Sequence, residues 1–221
     1  MPNTKIIKKA IKRISPPIIF NFAKKCKFII LKYKYRYLGR PITQFETYKA
    51  RNRRTREGFF QKYCNGLGLD IGFGGDLLCD NCQGWDYEHG DAQYLKGIGD
   101  EEFDFVYSGH TLEHMVDPAV SLTNWWRVLK KGGYLMIYIP HRDLFEKKET
   151  LPSRWNDDHK SYFLLDEDEK PDTIGAVPLI ERCLDGCKII YAKVCDEGFA
   201  VIDPLLHSQG EYSIEVVMRK I

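Results

Sequence analysis

The chain has 221 residues, 43% of them hydrophobic and 13% aromatic, with a formal net charge of +2; that length fits one α/β domain plus an extension, and the apolar content is ordinary for a globular protein. The small net charge hides an asymmetry: residues 1–60 carry 17 Lys/Arg against Glu46 and Glu57, a net +15, whereas residues 61–221 carry 16 against 29, a net −13. No stretch reaches the ~18 apolar residues of a membrane span and no cleavable signal stands out, so the seven scattered cysteines are expected as free thiols in a reducing cytoplasm, and no metal is expected.

A basic helical extension, residues 1–60, therefore precedes an acidic domain, residues 61–221. Ile6, Ile7, Ala10, Ile11 and Ile14 recur at helical spacing between Lys5, Lys8, Lys9, Lys12 and Arg13, a short amphipathic helix that Pro16-Pro17 ends. The segment 18–37 mixes Phe, Ile and Tyr with Lys. Such faces suit an anionic membrane, so residues 1–38 are expected to attach peripherally to the inner membrane face. A lid over the site, a homodimer-forming extension and RNA binding are the alternatives. Residues 47–64 read as helical, with Arg51, Arg53, Arg54 and Arg56 on the exposed side and one of them a candidate for reaching an anionic substrate.

From residue 66 strand and helix patterns alternate, which predicts a doubly wound, mostly parallel sheet. Residues 67–71 form the first strand, and it runs into the turn Gly72-Phe73-Gly74-Gly75-Asp76. Glycines there permit positive φ and close approach of a ligand to the backbone. Leu77 stands where a dinucleotide fingerprint needs glycine, and the early acid Asp70 disfavours phosphate. A cationic, phosphate-free nucleoside fits better. Gly84-Trp85-Asp86-Tyr87 reads as a short second strand ending in an acid. Only ten residues separate Gly75 from Asp86, too few for a full helix and strand. Strands are predicted at 103–107 and 134–140. Asp117 and Pro118 open the helix between them, and Gly132-Gly133 ends it. A further helix at 176–186 and β-rich runs at 187–196 and 212–221 complete the pattern.

The segment Gly68-Leu-Asp70-Ile-Gly72-Phe-Gly74 resembles motif I of the class I S-adenosylmethionine (SAM) dependent methyltransferases. Gly90-Asp91-Ala92 is similar to the step whose acid contacts the adenine amine in that superfamily. Ser108-Gly-His110-Thr-Leu-Glu113-His114 resembles its S-x-x-x-L-E-H segment, and Trp126 to Gly133 its R-x-L-K-P-G-G signature. The resemblance covers residues 58–150 well and the tail loosely. It implies a Rossmann-like α/β sheet with an antiparallel last strand, formed by the runs at 187–196 and 212–221, and SAM as cofactor. Asp70, Gly72, Phe73, Gly74, Asp91, Ala92 and Ser108 are then the expected cofactor-binding residues. Asp86 is the expected acid on the ribose, with Asp76 and Glu88 as rivals and a plain turn acid as the alternative.

SAM's sulfonium makes its methyl group electrophilic, so the protein mainly positions an acceptor, and an oxygen acceptor of high pKa also wants a base. Candidates lie at the carboxyl ends of the strands. His141 is the leading base, with His110 and His159 next and Asp143 as its orienting acid. Arg142, Arg154, Trp155 and Asn156 are candidate substrate contacts, and His114 reads as packing. His141-Arg142-Asp143 has a kinase-like look, but no kinase glycine loop or Asp-Phe-Gly accompanies it. The Gly-Leu-Asp-Ile-Gly turn, the Gly-Asp-Ala-Gln step and Pro140-His-Arg-Asp-Leu144 are similar to methyltransferases of bacterial capsule and lipopolysaccharide clusters. The expected activity is methylation of a small-molecule acceptor, on an oxygen of a sugar or phosphorylated surface-glycan precursor. The alternatives are a quinone or lipid methyltransferase at the membrane and a non-catalytic SAM-binding subunit. Nucleic acid is disfavoured as a partner by the acidic body and the lack of an Asn/Asp-Pro-Pro-Tyr motif.

Overall fold

A computed structural model describes residues 46–203 and 206–221. The helix expected at 5–14, the mixed segment at 18–37 and the membrane, lid and dimer readings of the arm lie outside the described residues. The strands are β1 (Gly68–Ile71), β2 (Cys82–Trp85), β3 (Phe103–Gly109), β4 (Leu129–Pro140), β5 (Tyr162–Leu164), β6 (Thr173–Gly175), β7 (Cys187–Cys195) and β8 (Ser213–Lys220). Six of them form one sheet in the order β2-β1-β3-β4-β8-β7, and β5 pairs with β6 separately. β1 runs parallel to β2 and β3, and β3 parallel to β4. β8 lies antiparallel to both β4 and β7. The mostly parallel sheet with an antiparallel last strand is the architecture the sequence predicts.

Alternation along β4 explains why both faces are covered. Leu135, Ile137 and Ile139 point to one face, with Leu122 and Trp125 of α4 (Pro118–Arg127) and Leu179 and Ile180 of α5 (Ala176–Cys183). Met136 and Tyr138 point to the other, against Ala50 and Phe59. The latter come from the region of three short helices, α1 (Glu46–Lys49), α2 (Arg51–Arg56) and α3 (Phe59–Tyr63). The described residues belong to one compact unit. Among the described residues no helix is long and apolar enough to cross a membrane.

Three local expectations change. The arginines of α2 are not all on a solvated side, because Arg53 and Arg54 are buried. Arg53 pairs with Glu211 and Glu215, and Arg54 Nε with Glu215 Oε2 at 2.7 Å, while its guanidinium lies 4.7–5.0 Å from the rings of Phe59, Tyr107 and Tyr138. Buried charge persists only when paired, and β8 brings the acids to this face. The helix α4 opens as predicted, with Asp117 Oδ1 accepting from Ala119 and Val120 N–H. It ends at Arg127, however, and Gly132-Gly133 sit inside β4, which already pairs with β3 at Leu129. The second strand stops at Trp85, with Asp86 just beyond it, and no helix forms between β1 and β2.

Candidate cofactor and acceptor site

The strand order reverses between β1 and β3, and in such sheets ligands bind there, beyond the carboxyl ends. A cavity of about 810 Å³ lies at that place. Its lining comes from the turn after β1 (Gly72, Gly74), the end of β2 (Trp85, Asp86), residues 90–94, and the segment after β3 (His110, Thr111, His114), together with Asp158.

Close packing shapes the glycine turn. Gly72 has φ +75°, and a Cβ there would stand 1.9 Å from Thr111 Oγ1. That hydroxyl donates to Ile71 O and Gly109 O, each at 3.2 Å, and so ties β1 to β3 beneath the cavity. Gly74 has φ +59°, and a Cβ there would meet nothing nearer than Gly72 O at 4.0 Å. The turn therefore presents bare backbone to the cavity.

The acids fall into two groups. Asp86 Oδ1 accepts from Tyr87 N–H and Asp91 Oδ1 from Gln93 N–H, both at 2.8 Å, which orients these two cavity-lining carboxylates. Asp70 is buried beneath the turn, where Oδ2 accepts from Leu78 N–H at 2.7 Å. Burial pushes its carboxyl up to about 8, against the pull of that N–H. Asp70 thus shapes the turn and does not line the cavity, a correction to the contact expected of it. Two other expected contacts are also set back. Phe73 packs its ring over Gly84, and Ser108 is 1% exposed. Ala92 lines the cavity.

The histidines are rearranged more thoroughly. His110 borders the cavity at φ +49°, a conformation L residues rarely adopt. Its Nε2 lies 2.8 Å from Ser213 Oγ. Burial lowers its pKa to about 4, although Glu46 opposes this. His114, expected to be packing, also borders the cavity. His159 is buried, with Nδ1 on Glu146 Oε1. Burial alone would lower its pKa, but the bond to Glu146 and the nearby Glu113 raise it. All three rings stand around Glu113: His110 Nδ1, His114 Nε2 and His159 Nε2 lie 3.7, 3.8 and 3.9 Å from its Oε1. Glu113 is fully buried, and burial pushes its carboxyl up to about 8.

His141 is not part of this group. It caps the π-helical turn Arg142–Glu146, its Nδ1 accepting from Asp143 N–H at 3.2 Å, and does not line the cavity. Asp143 pairs with Arg142 instead of orienting His141. Arg142, buried, also pairs with Glu169, so it is satisfied internally and not turned to a substrate. Arg154 stacks near Trp155, whose Nε1 donates to Phe145 O, and Asn156 takes part in a turn with Ser153. None of these four lines the cavity. The residues the sequence reading passed over are Trp85, Glu113, His114, Glu146 and Asp158. Glu113-His114 was visible in the S-x-x-x-L-E-H segment.

Comparison with known proteins agrees with this geometry. Residues 55–137 match the family described as a methyltransferase domain. That match spans 83 of the chain's 221 residues. The chain's cofactor is S-adenosyl-L-methionine. No curated protein matches the sequence. Among solved structures, a candidate methyltransferase of Bacillus halodurans C-125 superposes at TM-score 0.50 with 14% identity, over 74% of this chain and 97% of that one. A SAM-dependent methyltransferase of Thermotoga maritima gives 0.42 and 17% over 78% and 97%. One from Methanosarcina mazei gives 0.46 and 14% over 74% and 97%. The first of these shows the shared class I methyltransferase fold.

The residues present fit SAM. The turn at Gly72–Gly74 offers bare backbone, and the carboxylates of Asp86, Asp91 and Asp158 border the cavity. Trp85 Nε1, buried at its wall, has no hydrogen-bond partner among the described residues. Gly72, Gly74, Asp86 and Asp91 would hold the cofactor, which supplies an electrophilic methyl group.

Proposed function

We propose that this methyltransferase acts on an oxygen of a small hydroxylated acceptor, a sugar or phosphorylated surface-glycan precursor. The observation that carries this reading is the composition of the cavity. Its volume of about 810 Å³ is large within the roughly 300–1,000 Å³ span of small-molecule pockets. Beside the residues fitted to SAM it offers two imidazoles, His110 and His114. Both have pKa values lowered from the ordinary histidine value, with burial the leading cause, so they stand neutral at pH 7 with a lone pair for a hydroxyl proton. The proton leaves the acceptor oxygen for His110 as that oxygen takes the methyl group. The similarity of Gly68–Gly72, Gly90–Gln93 and Pro140–Leu144 to capsule and lipopolysaccharide methyltransferases supports the glycan class.

The test is transfer of labelled methyl from SAM to a bacterial lysate fractionated into nucleotide-sugars, lipids and RNA. Label in the nucleotide-sugar or glycan-precursor fraction, released as a methyl ether, is the expected result. Label in lipids or quinones would favour the second reading, methylation at a membrane surface. That reading draws on the net +15 of residues 1–60 and predicts salt-sensitive flotation of the protein with anionic vesicles.

A further inference from the structure

The cluster at Glu113 has a consequence that proton transfer does not use. Glu113 is 0% exposed, and neither carboxylate oxygen has a hydrogen-bond partner among the described residues. A buried carboxylate without partners is costly. Around it, one oxygen of Glu113 and one nitrogen each of His114 and His159 all lie within 4.8 Å of one another. We propose that Glu113, His114 and His159 bind a divalent first-row transition cation at the edge of the cofactor cavity.

Three features of the geometry favour a cation over a chance cluster. First, the spacing suits one. Two ligand atoms held about 2.0–2.2 Å from a tetrahedral metal stand roughly 3.3–3.6 Å apart. His114 Nε2 and His159 Nε2 stand 3.8 and 3.9 Å from Glu113 Oε1, and all three ligand atoms lie within 4.8 Å of one another, so side-chain shifts of up to about 1 Å close the set. Second, a carboxylate stands behind each imidazole. His159 Nδ1 bonds to Glu146, and His114 Nδ1, which makes no hydrogen bond among the described residues, lies 3.3 Å from Asp158 Oδ2, so each ring has its other nitrogen towards Glu113. A carboxylate on the far nitrogen is the usual arrangement behind a ligating histidine. Third, the backbone fixes the two distant segments together, since Lys160 N–H donates to Glu113 O at 2.7 Å. Two imidazoles and a carboxylate suit Mn, Fe, Co, Ni or Zn better than the all-oxygen sites of Ca or Mg.

His114 and Asp158 line the cavity, so a cation here has one side towards the acceptor. Resting on the oxygen-methylation reading, the role follows. An acceptor hydroxyl ligated to the cation would have its pKa lowered, with the His110 ring beside Glu113 placed to receive its proton. The hydroxyl proton passes to His110, the oxygen–methyl bond forms, and the methyl–sulfur bond breaks to leave S-adenosylhomocysteine.

The test uses the full chain, stripped with chelator and titrated with Co²⁺ followed by visible absorption and with Mn²⁺ followed by electron paramagnetic resonance. The expected result is one cation per chain, with Co²⁺ d–d bands and no near-ultraviolet thiolate-to-cobalt band. His114→Gln and His159→Gln each weaken binding by about 100-fold or more, and Glu146→Gln by about 10–100-fold. Cys79→Ser, which alters the pair formed by Cys79 and Cys82, whose sulfurs lie 3.4 Å apart, leaves it unchanged. No Co²⁺ or Mn²⁺ binding by the folded parent overturns the proposal. So does a thiolate band that Cys79→Ser removes, or unchanged affinity in both histidine variants with circular dichroism intact. A chain that binds the cation as expected but transfers no methyl to any hydroxylated acceptor refutes the reaction and leaves the site standing.

Discussion

Gly72 and Gly74 of the first turn both have a left-handed backbone, so substituting each separates a folding role from a binding role. Alanine at either position has to adopt φ near +59° or +75°, a strain of about 1–3 kcal/mol. At Gly74 that is the whole expected cost, because the new Cβ meets nothing within 4.0 Å except Gly72 O. At Gly72 the new Cβ lands 1.9 Å from Thr111 Oγ1, so Thr111 has to move. Overpacking of this kind costs about 1–3 kcal/mol. Releasing the hydroxyl from Ile71 O and Gly109 O adds about 0.5–1.5 kcal/mol. Gly72→Ala is therefore expected to lose roughly 3–7 kcal/mol by denaturant unfolding and Gly74→Ala about 1–3. Binding inverts the emphasis. Gly74→Val, still folded, places its branched side chain in the cavity and should weaken S-adenosylhomocysteine at least tenfold, about 1.4 kcal/mol, by calorimetry. Equal stability losses for the two alanine variants would refute the packing argument. Parental affinity in folded Gly74→Val would refute the placement of the cofactor on this turn.

Four further outcomes are expected. Glu215→Ala strands the buried Arg54, while Arg53 keeps Glu211, and should cost about 3–5 kcal/mol of unfolding free energy; because Arg54 and Arg53 hold Glu215 down at about 2 despite its burial, from the ordinary 4.5, its contribution is complete above 4.5 and lost as pH falls towards 2, and acid unfolding of Glu215→Gln lacking that step is the check. Asp70 is shifted the other way, from 3.8 up to about 8, so the folded state keeps a proton that the unfolded chain releases and stability falls as pH rises between those values; Asp70→Asn keeps an acceptor for Leu78 N–H and should gain melting temperature relative to the parent from about pH 5 to about pH 8, whereas a constant difference refutes the burial argument. Asp91→Ala should lower the preference for S-adenosylhomocysteine over its inosine analogue, and an unchanged ratio removes Asp91 from the adenine site. His141→Ala should keep near-parental kcat and cofactor affinity, and a loss of about 10²–10⁴ in kcat would restore it as the base.

How much was legible follows the physics of each signal. Strands, the Asp117-Pro118 helix start and the glycine turn depend on neighbours within a few residues, and the structure places them close to where the sequence does. Asp86 and Asp91 were legible for the same reason, since each follows a local turn into the cavity. Gly132-Gly133 misled because two glycines after a helical stripe look like a stop, when β4 had begun at Leu129 and uses Gly132 for its φ of +81° and Gly133 for close approach to Asp104 O, where a Cβ would stand 2.5 Å away. Arg53 and Arg54 misled because a basic run ahead of a domain reads as solvated. Their partners, Glu211 and Glu215, are some 160 residues away, and only sheet order brings β8 beneath α2.

The histidines show the same limit at the site itself. A strand mouth is a sound predictor of where a side chain starts, and His110 and His141 both start at one. What differs is the first turn after the strand. After β3 the chain takes a left-handed residue and a short 3₁₀ turn, Leu112–His114, which turns His110 and His114 to the two sides of Glu113. After β4 it enters a π-helical turn whose first N–H groups need a cap, and His141 supplies it through Nδ1. A ring committed to capping backbone is not placed to take a proton from an acceptor. His159 reaches the cluster from 46 positions beyond Glu113, held by the backbone bond between Lys160 and Glu113 and by Glu146 behind the ring. No spacing rule joins those positions. What singles them out is that the fold buries a carboxylate without giving it a hydrogen-bond donor among the described residues, and then turns three imidazole nitrogens towards it.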